Sequence, residues 1–164
     1  MNSTAPPATL PLVEQLAAKL LQRQWLLVTA ESCTGGLIAG ACTDLSGSSN
    51  WFERGFVTYS NTAKTELLGV PAALIDTHGA VSEEVARAMA AGAVQRSHAQ
   101  VAVAVTGVAG PTGGTAEKPV GLVWFGFALP GQVRTEQMHF TGDRAAVRAA
   151  TVHHALQRLT EMLS

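Results

Sequence analysis

The chain has 164 residues, of which 47% are hydrophobic and only 14% charged, and its formal net charge is −1. That length buries a core without disulfides or metals, and so little charge gives no basic field for nucleic acid. No apolar run approaches the ~18 residues of a membrane span, and the start Met1-Asn-Ser-Thr-Ala-Pro-Pro lacks the cationic and apolar regions of a secretory leader. A cytoplasmic protein away from membranes, with Cys33 and Cys42 as reduced thiols, is expected.

Residues 1–9 read as a disordered extension and residues 10–164 as one domain. From Leu10 to about Gln22, apolar residues recur at helical spacing (Leu12, Val13, Leu16, Leu20, Leu21), which predicts an amphipathic helix. Trp25 to Ala30 is a short apolar run, as in a strand covered on both faces. Thr34-Gly35-Gly36 then opens a helix of small residues from Leu37 to about Asp44. A loop leads to a strand over Phe52–Ser60, and Asn61 is placed to cap a helix carrying Lys64, Leu67 and Leu68. Gly69-Val70-Pro71 ends that helix, and a short helical turn covers Ala72–Thr77.

Ser82 caps a long helix reaching about Ser97, with Glu83 and Glu84 in its first turn, where negative charge suits the dipole. Gln100–Thr106 alternates Val and Ala as a buried strand and runs into the glycine-rich loop Gly107–Gly114. Two further strands, Gly121–Leu129 and Val133–Phe140, flank Pro130-Gly131, a hairpin signal. Thr141 or Asp143 caps a last helix that ends near Met162. Helices alternating with buried strands, plus one late hairpin, predict a three-layer α/β/α sandwich on a mixed, mostly parallel sheet.

Most of the chemistry-bearing residues fall in three places. At Thr29–Gly36 a strand meets a helix through two glycines, the usual ligand position at the edge of such a sheet. Neither a P-loop nor a Gly-x-Gly-x-x-Gly pattern is present. Glu31 can orient a substrate group or pair with a cation there, while Cys33 and Cys42 read as packing. Gly47-Ser48-Ser49 can present a hydroxyl on a glycine turn, and Lys64, opening a helix after the next strand, can return toward it. Hydroxyls beside a buried lysine are the material of a Ser/Lys hydrolase, because burial lowers the amine's pKa and frees it to act as a base.

Tyr59, the only tyrosine, can pack or donate to a developing charge. Thr106–Gly114 ends a buried strand at the same sheet edge, with glycines that admit a ligand close to backbone. Lys118, Arg144 and Arg148 are available for a phosphate or carboxylate, Arg144 at a helix start and Arg148 a turn further on, toward solvent. His78 falls in a turn, and His153 and His154 lie late on the last helix. No histidine or acidic cluster has metal-ligand spacing, so neither a metal nor a cofactor is expected.

Taken together, the motifs resemble one family. They are Thr29-Ala-Glu-Ser-Cys-Thr-Gly-Gly, Gly47-Ser-Ser-x-Trp-Phe-x-Arg-Gly-Phe-Val-x-Tyr-Ser-Asn-x-x-Lys, His78-Gly-Ala-Val-Ser, Thr106-Gly-x-Ala-Gly-Pro-x-Gly-Gly, Lys118-Pro-Val-Gly and Phe140-x-Gly-Asp-Arg. In order and spacing, from about residue 10 to 160, they resemble the CinA C-terminal domain family. The resemblance implies an α/β/α fold and the activity of the stand-alone members, hydrolysis of nicotinamide mononucleotide to nicotinate mononucleotide and ammonia. It implies a Ser/Lys dyad formed by Ser49 and Lys64, with Ser32 the alternative attacking hydroxyl and Tyr59 in support. The substrate would be held by Glu31, Thr34, Gly35, Gly36, Ser48, Thr106, Gly107, Gly110 and Arg144. The partners expected are this small nucleotide and, from the low-charge helices, further copies of the chain. The rival reading is a non-catalytic module that binds or senses a pyridine nucleotide.

Overall fold

The computed structural model describes residues 8–164, so the expectation for residues 1–9 falls largely outside the described residues. The helices are α1 (Leu10–Arg23), α2 (Leu37–Thr43), α3 (Asn61–Leu68), α4 (Ala72–His78), α5 (Glu83–Gln95) and α6 (Arg144–Met162). The strands are β1 (Leu27–Glu31), β2 (Phe52–Val57), β3 (Val101–Gly107), β4 (Leu122–Leu129) and β5 (Gln132–His139). They form one sheet in the order β2-β1-β3-β4-β5. β1 pairs in parallel with β2 and β3, while β4 is antiparallel to both β3 and β5. Only β4 therefore runs against the rest, and the expected three-layer sandwich on a mixed sheet is what forms.

The sequence of β3 shows how the layers arise. Val101, Val103 and Val105 point into a core shared with α1, α2 and α6, whereas Ala102 and Ala104 point into a second core with α3, α4 and α5. A strand that alternates large and small residues thus fits helices at different distances on its two faces. Val13, Leu16 and Leu20 of α1 have no exposed surface, each burial contributing about 2 kcal/mol. On the other face α5 sits almost on the backbone of β4. A Cβ added at Gly126 would lie 2.4 Å from the carbonyl oxygen of Ala86.

Side-chain caps set the starts of α3, α5 and α6. Ser82 accepts from the N–H of Val85 at 3.3 Å and Asp143 from that of Ala146 at 2.9 Å. For α3 the cap is Ser60, accepting from Ala63 N–H at 3.0 Å, rather than the expected Asn61. β2 correspondingly stops at Val57, three residues earlier than its sequence suggests, because Ser60 is already committed to the helix. At the far edge Leu129 and Gln132 pair directly across Pro130-Gly131, the tight hairpin that those two residues signal. His154 and Arg158 of α6 both donate to Glu136 of β5, at 2.7 and 3.0 Å, and tie that edge strand down.

The connections leaving β1 and β2 diverge. β1 leads to α2 on one face of the sheet, and β2 leads to α3 on the other. Such a divergence opens a crevice at the carboxyl ends of two neighbouring parallel strands.

Candidate active site

Ser32, Cys33, Tyr59, Lys64, Thr106, Gly107, Gly110 and Arg144 are among the residues lining a cavity of about 380 Å³ at that crevice. Ser32 follows directly on β1, its N–H donating to Val105 O of β3 at 3.1 Å. Lys64 comes from the opening turns of α3 and is 1% exposed. Its Nζ lies 3.0 Å from Ser32 Oγ, 3.1 Å from Thr58 O and 3.2 Å from Tyr59 O.

Those three neighbours define the chemistry of the amine. As an ammonium the group donates to all three; in the neutral form its two N–H bonds go to the two carbonyls, which can only accept, and its lone pair faces the Ser32 hydroxyl. Among the described residues no carboxylate forms an ion pair with Lys64. Burial holds its pKa below the ordinary lysine value of 10.5, against a smaller opposing effect of Cys33. Cys33 itself lines the cavity, but burial pushes its thiol up to about 11, so it is neutral at physiological pH. Cys42 is pushed up to about 12 for the same reason, in the core beneath α2.

Ser49 is not at this site. It sits exposed on a single 3-10 turn, Ser48–Asn50, that precedes β2, whereas Thr58 and Tyr59 follow β2. β1 and β2 are parallel, with Leu27 opposite Phe52 and Glu31 opposite Val57. Residues before β2 therefore lie at the end of the sheet away from Ser32. The strand alone separates Ser48 and Ser49 from Lys64 by roughly 17 Å at ~3.3 Å per residue. The expected Ser49–Lys64 pairing is thus corrected to Ser32–Lys64, and Ser48 leaves the site with Ser49.

The Thr29–Gly36 junction also differs in detail from expectation. Glu31, with no exposed surface, turns its carboxylate onto α2, accepting from Ile38 N–H at 2.8 Å, Ala39 N–H at 3.0 Å and the Thr34 hydroxyl. A carboxylate of the protein thus fills the anion position of that short helix, so neither Glu31 nor Thr34 faces the cavity. Gly35 and Gly36 take φ of 59° and 106°, which lets the chain turn into α2, and they too lie off the cavity. Thr106, 1% exposed, donates to Ala80 O at 2.9 Å and fixes the turn before α5 as the opposite wall.

Arg144 bridges the mouth, donating to Gly110 O at 2.8 Å and to the Tyr59 hydroxyl at 3.2 Å. Both acceptors are neutral, and among the described residues no carboxylate forms an ion pair with Arg144. Arg148 is engaged rather than solvated, with Nε 3.1 Å from Cys33 O and a terminal nitrogen 3.2 Å from Thr34 O. Lys118 donates to His78 O and straps the glycine-rich loop to the α4–α5 turn. Among the described residues no three His, Cys, Asp or Glu side chains come together as a metal-ligand group, and no helix is long and apolar enough to cross a membrane.

A five-stranded α/β/α sandwich with a buried lysine set against a serine, where two parallel strands open, defines the class of protein. The model of the CinA C-terminal domain matches residues 9–163, and the chain belongs to that family. It is 56% identical over 144 residues to the nicotinamide-nucleotide amidohydrolase PncC of Enterobacter agglomerans, covering 87% of this chain and 88% of that one. With the protein of the same name from Escherichia coli it shares 52% over 149 residues, 90% of each chain. In structure it resembles the competence/damage inducible protein CihA from Agrobacterium tumefaciens, with a TM-score of 0.93 and 46% identity over 98% of this chain and 99% of that one.

Proposed function

We propose that the chain hydrolyses the carboxamide of nicotinamide mononucleotide to nicotinate mononucleotide and ammonia, with Ser32 as nucleophile and Lys64 as general base. The observation that carries this is the Lys64 Nζ to Ser32 Oγ contact of 3.0 Å, buried and opening onto the cavity. The relatives named nicotinamide-nucleotide amidohydrolase, similar along nearly their whole length, support the choice of substrate.

Neutral Lys64 takes the Ser32 proton as Oγ bonds to the carboxamide carbon, and the carbonyl π pair moves onto oxygen. Ala109 and Gly110 line the cavity, and their N–H groups, without a backbone partner among the described residues, are available to the oxyanion. Collapse of the intermediate breaks the C–N bond, Lys64 returns the proton to the leaving nitrogen, and ammonia departs. Water then attacks the Ser32 ester, giving its proton to Lys64, and Lys64 restores the Ser32 hydroxyl as the acid leaves.

Arg144, with only neutral acceptors at present, takes the 5′-phosphate in a stronger, charge-assisted contact. Binding at that remote group helps lower the barrier at the amide, so free nicotinamide is a poor substrate. A module that only binds the nucleotide has no use for a lysine desolvated against a serine. Ammonia release from nicotinamide mononucleotide, compared between the wild type and Lys64→Ala, tests the reading. Release by the wild type alone supports it. Tight binding of the nucleotide without release by either leaves a binding module.

A further inference from the structure

The turn that carries Ser32 is held from two opposite sides. Inside, the Glu31 carboxylate gathers Thr34, Ile38 and Ala39. Outside, the Arg148 guanidinium reaches from the second turn of α6 to the carbonyl oxygens of Cys33 and Thr34, the two residues directly after Ser32. Gly35 and Gly36 follow at once, both at positive φ, so the turn has little stiffness of its own.

We propose that Arg148 is a positioning residue for Ser32, fixing the Ser32–Gly35 turn so that the hydroxyl stays in line with Lys64. This rests on the reading of Ser32 as the attacking hydroxyl. A planar guanidinium offers two donors at a fixed spacing and so orients two successive peptides at once, which a lysine ammonium cannot do. Each trans peptide holds its N–H opposite its C=O. Drawing the Cys33 and Thr34 carbonyls outward therefore also fixes the N–H groups of Thr34 and Gly35, and the latter closes the turn on Ser32 O at 3.1 Å. The mount is stiff, because Val147, Thr151 and Val152 on either side of Arg148 are buried. No carboxylate forms an ion pair with Arg148 among the described residues, so the carbonyls do not share it.

The experiment measures the rate at which a fluorophosphonate probe labels the full chain, in which Ser32 Oγ bonds to phosphorus and fluoride leaves. It compares wild type, Ser32→Ala, Arg148→Met and Arg148→Lys, with kcat and KM for ammonia release alongside. Labelling and kcat are expected to fall roughly 10- to 100-fold in Arg148→Met with KM nearly unchanged, the size of effect that a misplacement near 1 Å produces. Arg148→Lys is expected to recover part of the loss. If wild type labels no faster than Ser32→Ala, the serine reading itself fails and the positioning role with it. If wild type labels and folded Arg148→Met labels equally fast, only the positioning role is overturned. Should Arg148→Met not fold, wild-type labelling in a folded Arg148→Lys overturns it in the same way.

Discussion

Replacing Ser32 by alanine separates the chemistry of the site from the stability of the fold, because the structure assigns the two effects very different sizes. Lys64 loses one of three hydrogen-bond neighbours and keeps Thr58 O and Tyr59 O. One neutral buried hydrogen bond contributes about 1 kcal/mol, which for a chain of this length lowers Tm by roughly 2–4 °C. On the proposed mechanism, loss of the Ser32 oxygen removes a covalent step, and comparable nucleophile deletions cost on the order of 10⁴-fold or more in kcat. That is about 5 kcal/mol of barrier. Ser32→Ala should therefore melt almost normally while ammonia release from nicotinamide mononucleotide falls to background.

Ser49→Ala is the matched control. Ser49 is exposed on its turn, and its side chain makes no hydrogen bond within the described residues. Its loss should change Tm by less than about 1–2 °C, the usual range for surface substitutions, and leave kcat within about twofold. The assay is continuous detection of ammonia beside a thermal melt of each purified variant. An inactive Ser49→Ala beside an active Ser32→Ala would refute the reasoning from strand direction. Full activity in both would remove these two serines from the mechanism.

Further outcomes follow from Lys64, Cys33 and Gly92. Because burial depresses the Lys64 pKa, the base form is available at lower pH than for an ordinary lysine, so kcat/KM should rise with pH to a plateau through a midpoint below 10.5. The same depression means that charging Lys64 costs folding free energy. Stability should increase with pH between the folded-state pKa and 10.5, and the increase should vanish in Lys64→Met; a kinetic midpoint at 10.5 would contradict the site. With its thiol raised to about 11, Cys33 should resist iodoacetamide at pH 7.5, and Cys33→Ala should stay active within a few-fold; rapid inactivation by alkylation would argue for a thiolate. At Gly92 a Cβ would lie 1.9 Å from the Leu68 carbonyl oxygen, so Gly92→Ala should push α5 off the end of α3 at a cost of about 3 kcal/mol in denaturant unfolding, and an unchanged midpoint would mean that the helices are not so closely packed.

The sequence by itself determined the alternation of elements and the layered fold. Those properties are local: Val–Ala alternation in β3, helical spacing in α1, and Ser82 as a cap each act over a few residues. It also brought the Ser32, Tyr59, Lys64, Thr106, Gly110 and Arg144 segments forward as candidates, since their residue types and glycines stand out without coordinates. The partner of Lys64 was decided only by tertiary structure. Ser32 and Ser49 both sit near glycines, 32 and 15 residues before the lysine, and chain distance by itself favours Ser49. The parallel pairing of β1 and β2 separates them, since it sets the end of β1 beside the end of β2 and leaves the start of β2 at the opposite edge. The Glu31 carboxylate and the Arg148 guanidinium were undetermined for the same reason. Long flexible charged side chains take their direction from whichever unpaired N–H or C=O the assembled fold puts within reach, and here those are the first amides of α2 and the two carbonyls behind Ser32.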